Sequence, residues 1–380
     1  MKYRQLGSTG LAVSEIGLGA EWLERHTAEE CKAIIDRCES HGINILDCWM
    51  SEPKVRSNIG AAIRGKRDRW IIQGHLGSSH HTGQHTRCRE LPLVKAAFAD
   101  LLQRLGTDYI DIGMIYYVDK PEEWQHIVTD GFLAYVKELK QNGTVRHIGL
   151  STHNPVVARM AVESGEVEMI LFSINPAFDL LPASEDINRY FVDEYDASLS
   201  GIDPERADLY KLCEQRGVGI TVMKCFAGGR LFDEKRSPFG VALTPVQCLH
   251  YCLTRPAVAA VMAGFDETSQ VDDAVAYETA TDEEKNYAAV LAGAPRHAYH
   301  GNCTYCGHCK PCPVNIDIAL VNKLSDLAAM QPEIPPSIRS HYDSLEAKAS
   351  DCIGCQDCES RCPFGVPIAA HMLNTAKRFG

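Results

Sequence analysis

The stretch YIDIGMIYY, residues 109–117, forces a choice between helix and strand. Its apolar positions run on continuously and stop after a few residues. Such a run fits a strand buried on both faces, as in a parallel sheet. Seven further runs have the same character: SEIGLG (14–19), NILDCW (44–49), WIIQGHL (70–76), RHIGLS (146–151), MILFSIN (169–175), GITVMK (219–224) and AAVMAG (259–264).

Helical patterns fill the spaces between them. Thr27 and Glu30 form a capping box ahead of an apolar pattern that stops at Gly42. Residues 92–105 set Val94, Phe98, Leu101, Leu102 and Leu105 on one face, with Pro92 in the first turn and Gly106 at the stop. Further helices are expected over 121–140 and 203–215, ending at Asn142-Gly143 and Gly217. Eight strands alternating with helices over about 280 residues match a (β/α)₈ TIM barrel. A doubly wound sheet is the alternative, but no Gly-rich dinucleotide fingerprint follows an early strand. GSTG (7–10) between short extended runs predicts an N-terminal hairpin. Residues 176–203 make a long connection after strand six, and such loops at the C-terminal face of a barrel shape or cover the active site.

Length and composition set the frame. The chain has 380 residues, 45% hydrophobic and 23% charged, which predicts a large domain and a smaller one: residues 1–285 and 286–380. A net charge of −12 speaks against nucleic acid and anionic membrane as partners. No apolar run reaches the length of a membrane span, and the N-terminus lacks the apolar core of a signal peptide, so a cytoplasmic protein is expected.

The 16 cysteines are unevenly spread. Eight are scattered before residue 300, and eight form two clusters after it, flanked by expected helices at 316–329 and 366–377 and separated by the linker QPEIPPS (331–337). Without a secretory signal, metal or redox use outweighs disulfides. The second cluster, Cys352, Cys355, Cys358, Cys362 and Pro363, has the C-x₂-C-x₂-C-x₃-C-P spacing of bacterial two-cluster ferredoxins. The first, Cys303, Cys306, Cys309, Cys312 and Pro313, is one residue shorter before its last cysteine. A tight loop gives three thiolates to a cubane, and the fourth comes from elsewhere. The expected sets are Cys303, Cys306, Cys309 and Cys362 for one [4Fe–4S] cluster, and Cys352, Cys355, Cys358 and Cys312 for the other. Paired structural zinc sites are the competing reading, but those favour two separated C-x₂₋₄-C knuckles. The tail is thus expected to be a mainly helical, ferredoxin-like electron carrier.

Several stretches are specific to a family. YRQLGSTGLAVSEIGLG, HGINILD, DYIDIGMI, HIGLSTHN, GVGITVMKCFAGGRL and AGFDETSQVDDA occur in order, and the first ~290 residues resemble an aldo-keto reductase. With the cysteine-rich tail, the whole chain resembles the ferredoxin-fused branch of that family. The resemblance implies a barrel that binds a nicotinamide at its C-terminal face and reduces carbonyls through a Tyr, a Lys, an Asp and a His. Asp47 stands at the Asp position. Glu52, His75 and Tyr116 stand where the family has Tyr, Lys and His. Each replacement is ionisable and costly to bury without purpose, which favours altered chemistry over lost chemistry. Tyr116 is the expected proton donor, with Tyr117 its rival; His75 assists it, Asp47 orients His75, and Glu52 serves as base or protonated acid.

The resemblance also marks a cofactor site. Ser151 matches a nicotinamide contact, with Thr152 beside it and Asn175 on strand six. AGGRL (227–231) suits a pyrophosphate, with Gly228 for close approach and Lys224 and Arg230 for charge. Gly264 and Gln270 lie where the adenosine 2′-phosphate contacts are expected, but Asp266 and Glu267 stand there without Lys or Arg, so NAD(H) is preferred to NADP(H). His80, His81 and His85, with His75, Asp47 and Glu52, offer a less favoured reading as metal ligands. The leading expectation is an oxidoreductase that reduces a small-molecule carbonyl or activated double bond, with two [4Fe–4S] clusters exchanging electrons with a soluble carrier such as ferredoxin. The alternatives are an NAD(H)-dependent oxidoreductase with the clusters as a ferredoxin outlet, and a non-catalytic barrel serving as an electron-transfer subunit.

Overall fold

In the computed structural model, which describes residues 1–191, 195–196, 198–294, 298–330 and 332–380, eight parallel strands close into a barrel. In chain order they are β1 (Ile16–Gly19), β2 (Ile45–Cys48), β3 (Ile71–Leu76), β4 (Ile110–Ile115), β5 (Val145–Thr152), β6 (Met169–Ser173), β7 (Gly219–Met223) and β8 (Val258–Gly264). Each pairs with its sequence neighbours, and β8 pairs with β1 through Val261↔Ile16 and Gly264↔Gly19. All eight expected apolar runs are strands. Every residue of β2 and β4 is buried, which is why their sequences do not alternate.

The barrel interior is filled with side chains. Ile45, Ile112, Met114, Met169, Ala260 and Met262 form its core, and Leu6 and Val13 of the N-terminal hairpin (Tyr3–Gln5 with Ala12–Ser14) close it from below. Glycine makes room for the methionines: a Cβ at Gly149 would lie 2.4 Å from Met114 Sδ and 2.6 Å from Met169 Sδ. An open cavity lies at the other end of the strands, the end at which barrel enzymes carry out chemistry.

The capping box of Thr27 and Glu30 starts the helix Ala28–Ser40, and the expected face of Leu91–Leu105 is buried through Val94, Phe98, Leu101 and Leu105. The single helix expected over 121–140 is two, Pro121–Thr129 and Phe132–Gln141. Gly131, at φ 86°, breaks the run between Trp124 and Phe132, which both reach the core. Parts of the expected loop 176–203 (192–194 and 197) and the first residue of the expected linker 331–337 lie outside the described residues.

After β8, helices Thr268–Val275 and Tyr287–Ala292 lie on the barrel. The tail follows with helices Ile318–Ala329, Pro336–Asp343 and Ile368–Phe379. It is anchored by polar contacts: Gln215 Nε2 donates to Leu327 O at 2.7 Å, Lys323 pairs with Glu214 at 2.9 Å, and Tyr299 OH donates to Pro176 O at 2.6 Å. No helix among the described residues is long and apolar enough to cross a membrane.

Candidate active site and thiol pockets

A cavity of about 870 Å³ opens at the C-terminal ends of the strands. Parallel pairing sets the strand ends level: Gly19 faces Asp47 and Asp47 faces Gln73 in register. Asp47 is buried, and its Oδ1 accepts hydrogen bonds from Gln73 Nε2 and His75 Nε2, each at 2.8 Å. A carboxylate only accepts, so Nε2 carries the proton of His75, and its buried Nδ1 has no protein partner.

Tyr116 follows β4 and lines the same cavity. Its hydroxyl lies 3.0 Å from His85 Nε2, and His85 Nδ1 lies 2.8 Å from Ser51 Oγ. Trp49 stacks parallel to the Tyr116 ring, and His75 meets that ring edge-on. Burial, with Tyr117 and Asp47 nearby, pushes the Tyr116 hydroxyl above its ordinary pKa and keeps it protonated. Burial pushes His85 below the usual imidazole range, and Arg56 adds to this.

A second carboxylate–imidazole pair stands next to Tyr117. Asp119 Oδ2 is 3.0 Å from His153 Nδ1, and Asp119 Oδ1 accepts from the His153 amide and from Thr152 Oγ1. Burial alone would raise Asp119, but these bonds hold its carboxyl below the ordinary range. The His153 ring meets Tyr117 edge-on, and both line the cavity. Tyr117 at φ 47° and Lys224 at φ 61° hold left-handed backbone conformations at the same rim, a strain concentrated where the cavity is shaped.

Of the residues singled out from sequence, Asp47, His75, Tyr116, Ser151, Lys224, Gly228, Gly264 and Gln270 line this one cavity, and Glu52, Thr152, Asn175 and Arg230 do not. Glu52 caps the helix Pro53–Ala62, its carboxylate accepting from the Val55 amide at 2.7 Å. Asn175 braces the loop after β6: its Oδ1 accepts from Ala177 and Phe178 amides, and its Nδ2 donates to Lys224 O. Arg230 is buried in the turn Ala227–Phe232. Sequence reasoning missed Trp49, Asp119 and His153 as neighbours, and it grouped His85 with His75, Asp47 and Glu52 as possible metal ligands where the structure sets it against Tyr116. His153 stood next to the quoted Ser151-Thr152, and a histidine one residue past a strand end was the available signal. Among the described residues, no three His, Cys, Asp or Glu side chains converge as ligands of a single ion.

The tail thiols ring two hollows instead. Cys303, Cys306, Cys309 and Cys362 line one, and Cys312, Cys352, Cys355 and Cys358 line the other. Three cysteines of each loop thus share a hollow with the last cysteine of the other loop. The remaining lining is mostly apolar, including Ile316 and Met372 in one and Phe364 and Val366 in the other. Burial pushes the Cys303 thiol up to about 11 and Cys309 up to about 12. Thiolates there require a positive group among them, which four-thiol iron–sulfur ligation provides, so the residues fit.

Comparison with known proteins accords with both halves. Residues 15–243 match the Aldo/keto reductase family, and residues 302–367 match a 4Fe-4S dicluster domain. The uncharacterized oxidoreductase YqkF of Bacillus subtilis (strain 168) is 25% identical over 284 residues, which is 71% of this chain and 89% of that protein. The NADH-specific methylglyoxal reductase of Escherichia coli (strain K12) is 26% identical over 190 residues, 45% of this chain and 58% of that protein. Among solved structures, the holo form of aldo-keto reductase AKR11C1 from Bacillus halodurans superposes with a TM-score of 0.59 at 25% identity, over 77% of this chain and 96% of that one.

Proposed function

The chain belongs to the aldo/keto reductase family and is an oxidoreductase with a 4Fe-4S dicluster domain; from that premise we propose that it reduces a carbonyl or activated double bond at the barrel mouth. The observation that carries this reading is Tyr116 lining the cavity with its hydroxyl in contact with His85. Tyr116 hands its proton to the substrate oxygen or carbon, and His85, partly buried and partly open to solvent, restores it. His75 is held in one orientation by Asp47 and presents Nδ1 as the second polar contact. Trp49 and Tyr117 wall the cavity and exclude water. The family Lys that would lower the tyrosine pKa is replaced by His75, so Tyr116 acts as a neutral acid.

Cys303, Cys306, Cys309 and Cys362 would hold one cluster, and Cys312, Cys352, Cys355 and Cys358 the other, in the tail of residues 286–380 behind the barrel of residues 1–285. Clusters so held supply electrons one at a time, exchanged with a soluble cytoplasmic carrier such as ferredoxin. A nicotinamide, where bound, supplies hydride. Ser151 would meet its amide, while Lys224, Gly228, Gly264 and Gln270 line the path for the rest of the dinucleotide. Glu21, Asp266 and Asp273 also line that path, and Lys224 is 3.4 Å from Glu21. This acidic lining disfavours a 2′-phosphate and supports NAD(H), as does the likeness to an NADH-specific reductase.

The test is anaerobic turnover with a low-potential one-electron donor or with NADH. Tyr116→Phe is expected to lower kcat by about 100-fold or more with KM little changed. Unchanged kcat in a folded, iron-replete Tyr116→Phe protein removes this assignment.

A further inference from the structure

We propose that Arg255 and Asn322 set the two thiol pockets at different reduction potentials, making the pocket of Cys303, Cys306, Cys309 and Cys362 the stronger electron acceptor. The proposal rests on the reading that each pocket holds a [4Fe–4S] cluster. Such a cluster with four thiolates is anionic, and more so once it has gained an electron. Nearby positive charge and N–H bonds to sulfur therefore favour the reduced form and raise the potential.

The first pocket has both. Asn322 is buried and its Nδ2 donates to Cys303 Sγ at 3.5 Å. Arg255 is 2% exposed. Its Nη2 donates to the carbonyl of Thr304, the residue after Cys303, and to Tyr287 OH at 3.2 Å. Its Nε and Nη1 have no hydrogen-bond partner, its guanidinium lies 4.5 Å from the centre of the Tyr251 ring, and among the described residues no carboxylate lies within ion-pair distance of it. Asp179, which acts on Arg255 at longer range, is bound to Tyr210 and Tyr251. A buried guanidinium without a close anion is costly, and an anionic cluster beside the Cys303–Cys306 turn would offset it.

The loops themselves carry the same asymmetry. CTYCGHCKPC (303–312) has Lys310 and no acid within it, with Asp317 paired to Lys310 at 3.0 Å and Asp326 accepting from Tyr305 OH beside it, whereas the second loop has Asp357 and Glu359 within it and Asp351 beside it. The one arginine of the second loop, Arg361, turns away from it: its Nη2 donates to Cys309 O and Pro311 O of the first. The second pocket also meets solvent, with Cys355 exposed and Ile353 66% exposed. A one-electron donor from solution thus meets the pocket of lower potential first, and Arg255 and Asn322 favour the electron on the barrel side. No bond forms or breaks and no proton moves.

The test is a potentiometric titration of the anaerobic, iron-replete protein, followed by electron paramagnetic resonance. Two resolved midpoint potentials are expected. Asn322→Leu should lower the higher one and leave the lower one in place. Arg255→Gln should lower the higher one further, with Arg255→Lys restoring most of the loss, because charge rather than docking is at stake. Asp357→Asn should raise the lower one. One shared midpoint, an unmoved higher midpoint in Asn322→Leu, or equal values for Arg255→Gln and Arg255→Lys would overturn the proposal. If Arg255→Gln does not fold, Asn322→Leu and Asp357→Asn decide. Wild-type protein without iron would instead sink the cluster reading, and the proposal with it.

Discussion

Glu52 shows how a residue type can be read correctly as polar and assigned the wrong neighbours. Its carboxylate accepts the Val55 amide hydrogen at 2.7 Å and lies at the positive end of the helix Pro53–Ala62, where Pro53 fills the first turn. Removing such a cap costs about 1 kcal/mol. Glu52→Ala is therefore expected to lower the unfolding free energy by that amount, seen by circular dichroism as a lower denaturant midpoint at constant m-value. The strand-end residues Asp47, His75 and Tyr116 were legible because strand ends point into one cavity whatever else the chain does. Glu52 lies past the strand end, where local capping decides the direction of a side chain. His85 and Asp119 were not legible as partners, since His85 reaches Tyr116 across 31 positions and Asp119 reaches His153 across 34.

At the scale of elements, apolar runs were sufficient for all eight strands because nearly every strand position is buried, with Arg146 the exposed exception, so a run has no competing pattern. Helices were harder. The stretch 121–140 keeps a helical apolar pattern on both sides of Gly131, and nothing in that pattern marks the change of direction between Pro121–Thr129 and Phe132–Gln141. The glycine is the sole signal, through its φ of 86°. A side chain there meets little, the nearest atom being Leu91 Cδ1 at 3.5 Å, so the cost of substitution is conformational rather than steric. Gly131→Ala should destabilise the fold by about 1 kcal/mol, read as a lower unfolding midpoint, because alanine must hold a left-handed backbone. If stability rose instead, the two helices would have merged into the single one that periodicity suggests.

Polar groups buried between the barrel and the segment that follows it are shared. Asp179, fully buried after β6, takes the hydroxyls of Tyr210 and Tyr251, and Tyr251 OH lies 3.1 Å from Tyr299 OH, which in turn donates to Pro176 O. No sequence pattern announces this network, since its members are one aspartate and three ordinary tyrosines spread over more than a hundred positions. His250 lies beside it, its ring packed against Tyr277 and Tyr287. Burial pushes its pKa down to about 4, with Lys285, Arg255 and His308 adding to the shift and Asp282 opposing it. In the unfolded chain the same group titrates near 6.5. Between these values the unfolded state binds the proton and the folded state does not, so stability is complete above pH 6.5 and falls as pH drops towards 4. From pH 7 to pH 5 the loss attributable to this one imidazole is about 2 kcal/mol. His250→Gln, which keeps a polar group for the 3.3 Å contact to Tyr277 OH but cannot take a proton, should flatten that part of the stability–pH curve. Chemical unfolding at pH 7 and pH 5 checks it: if the variant loses as much stability on acidification as the parent, the proton is going elsewhere.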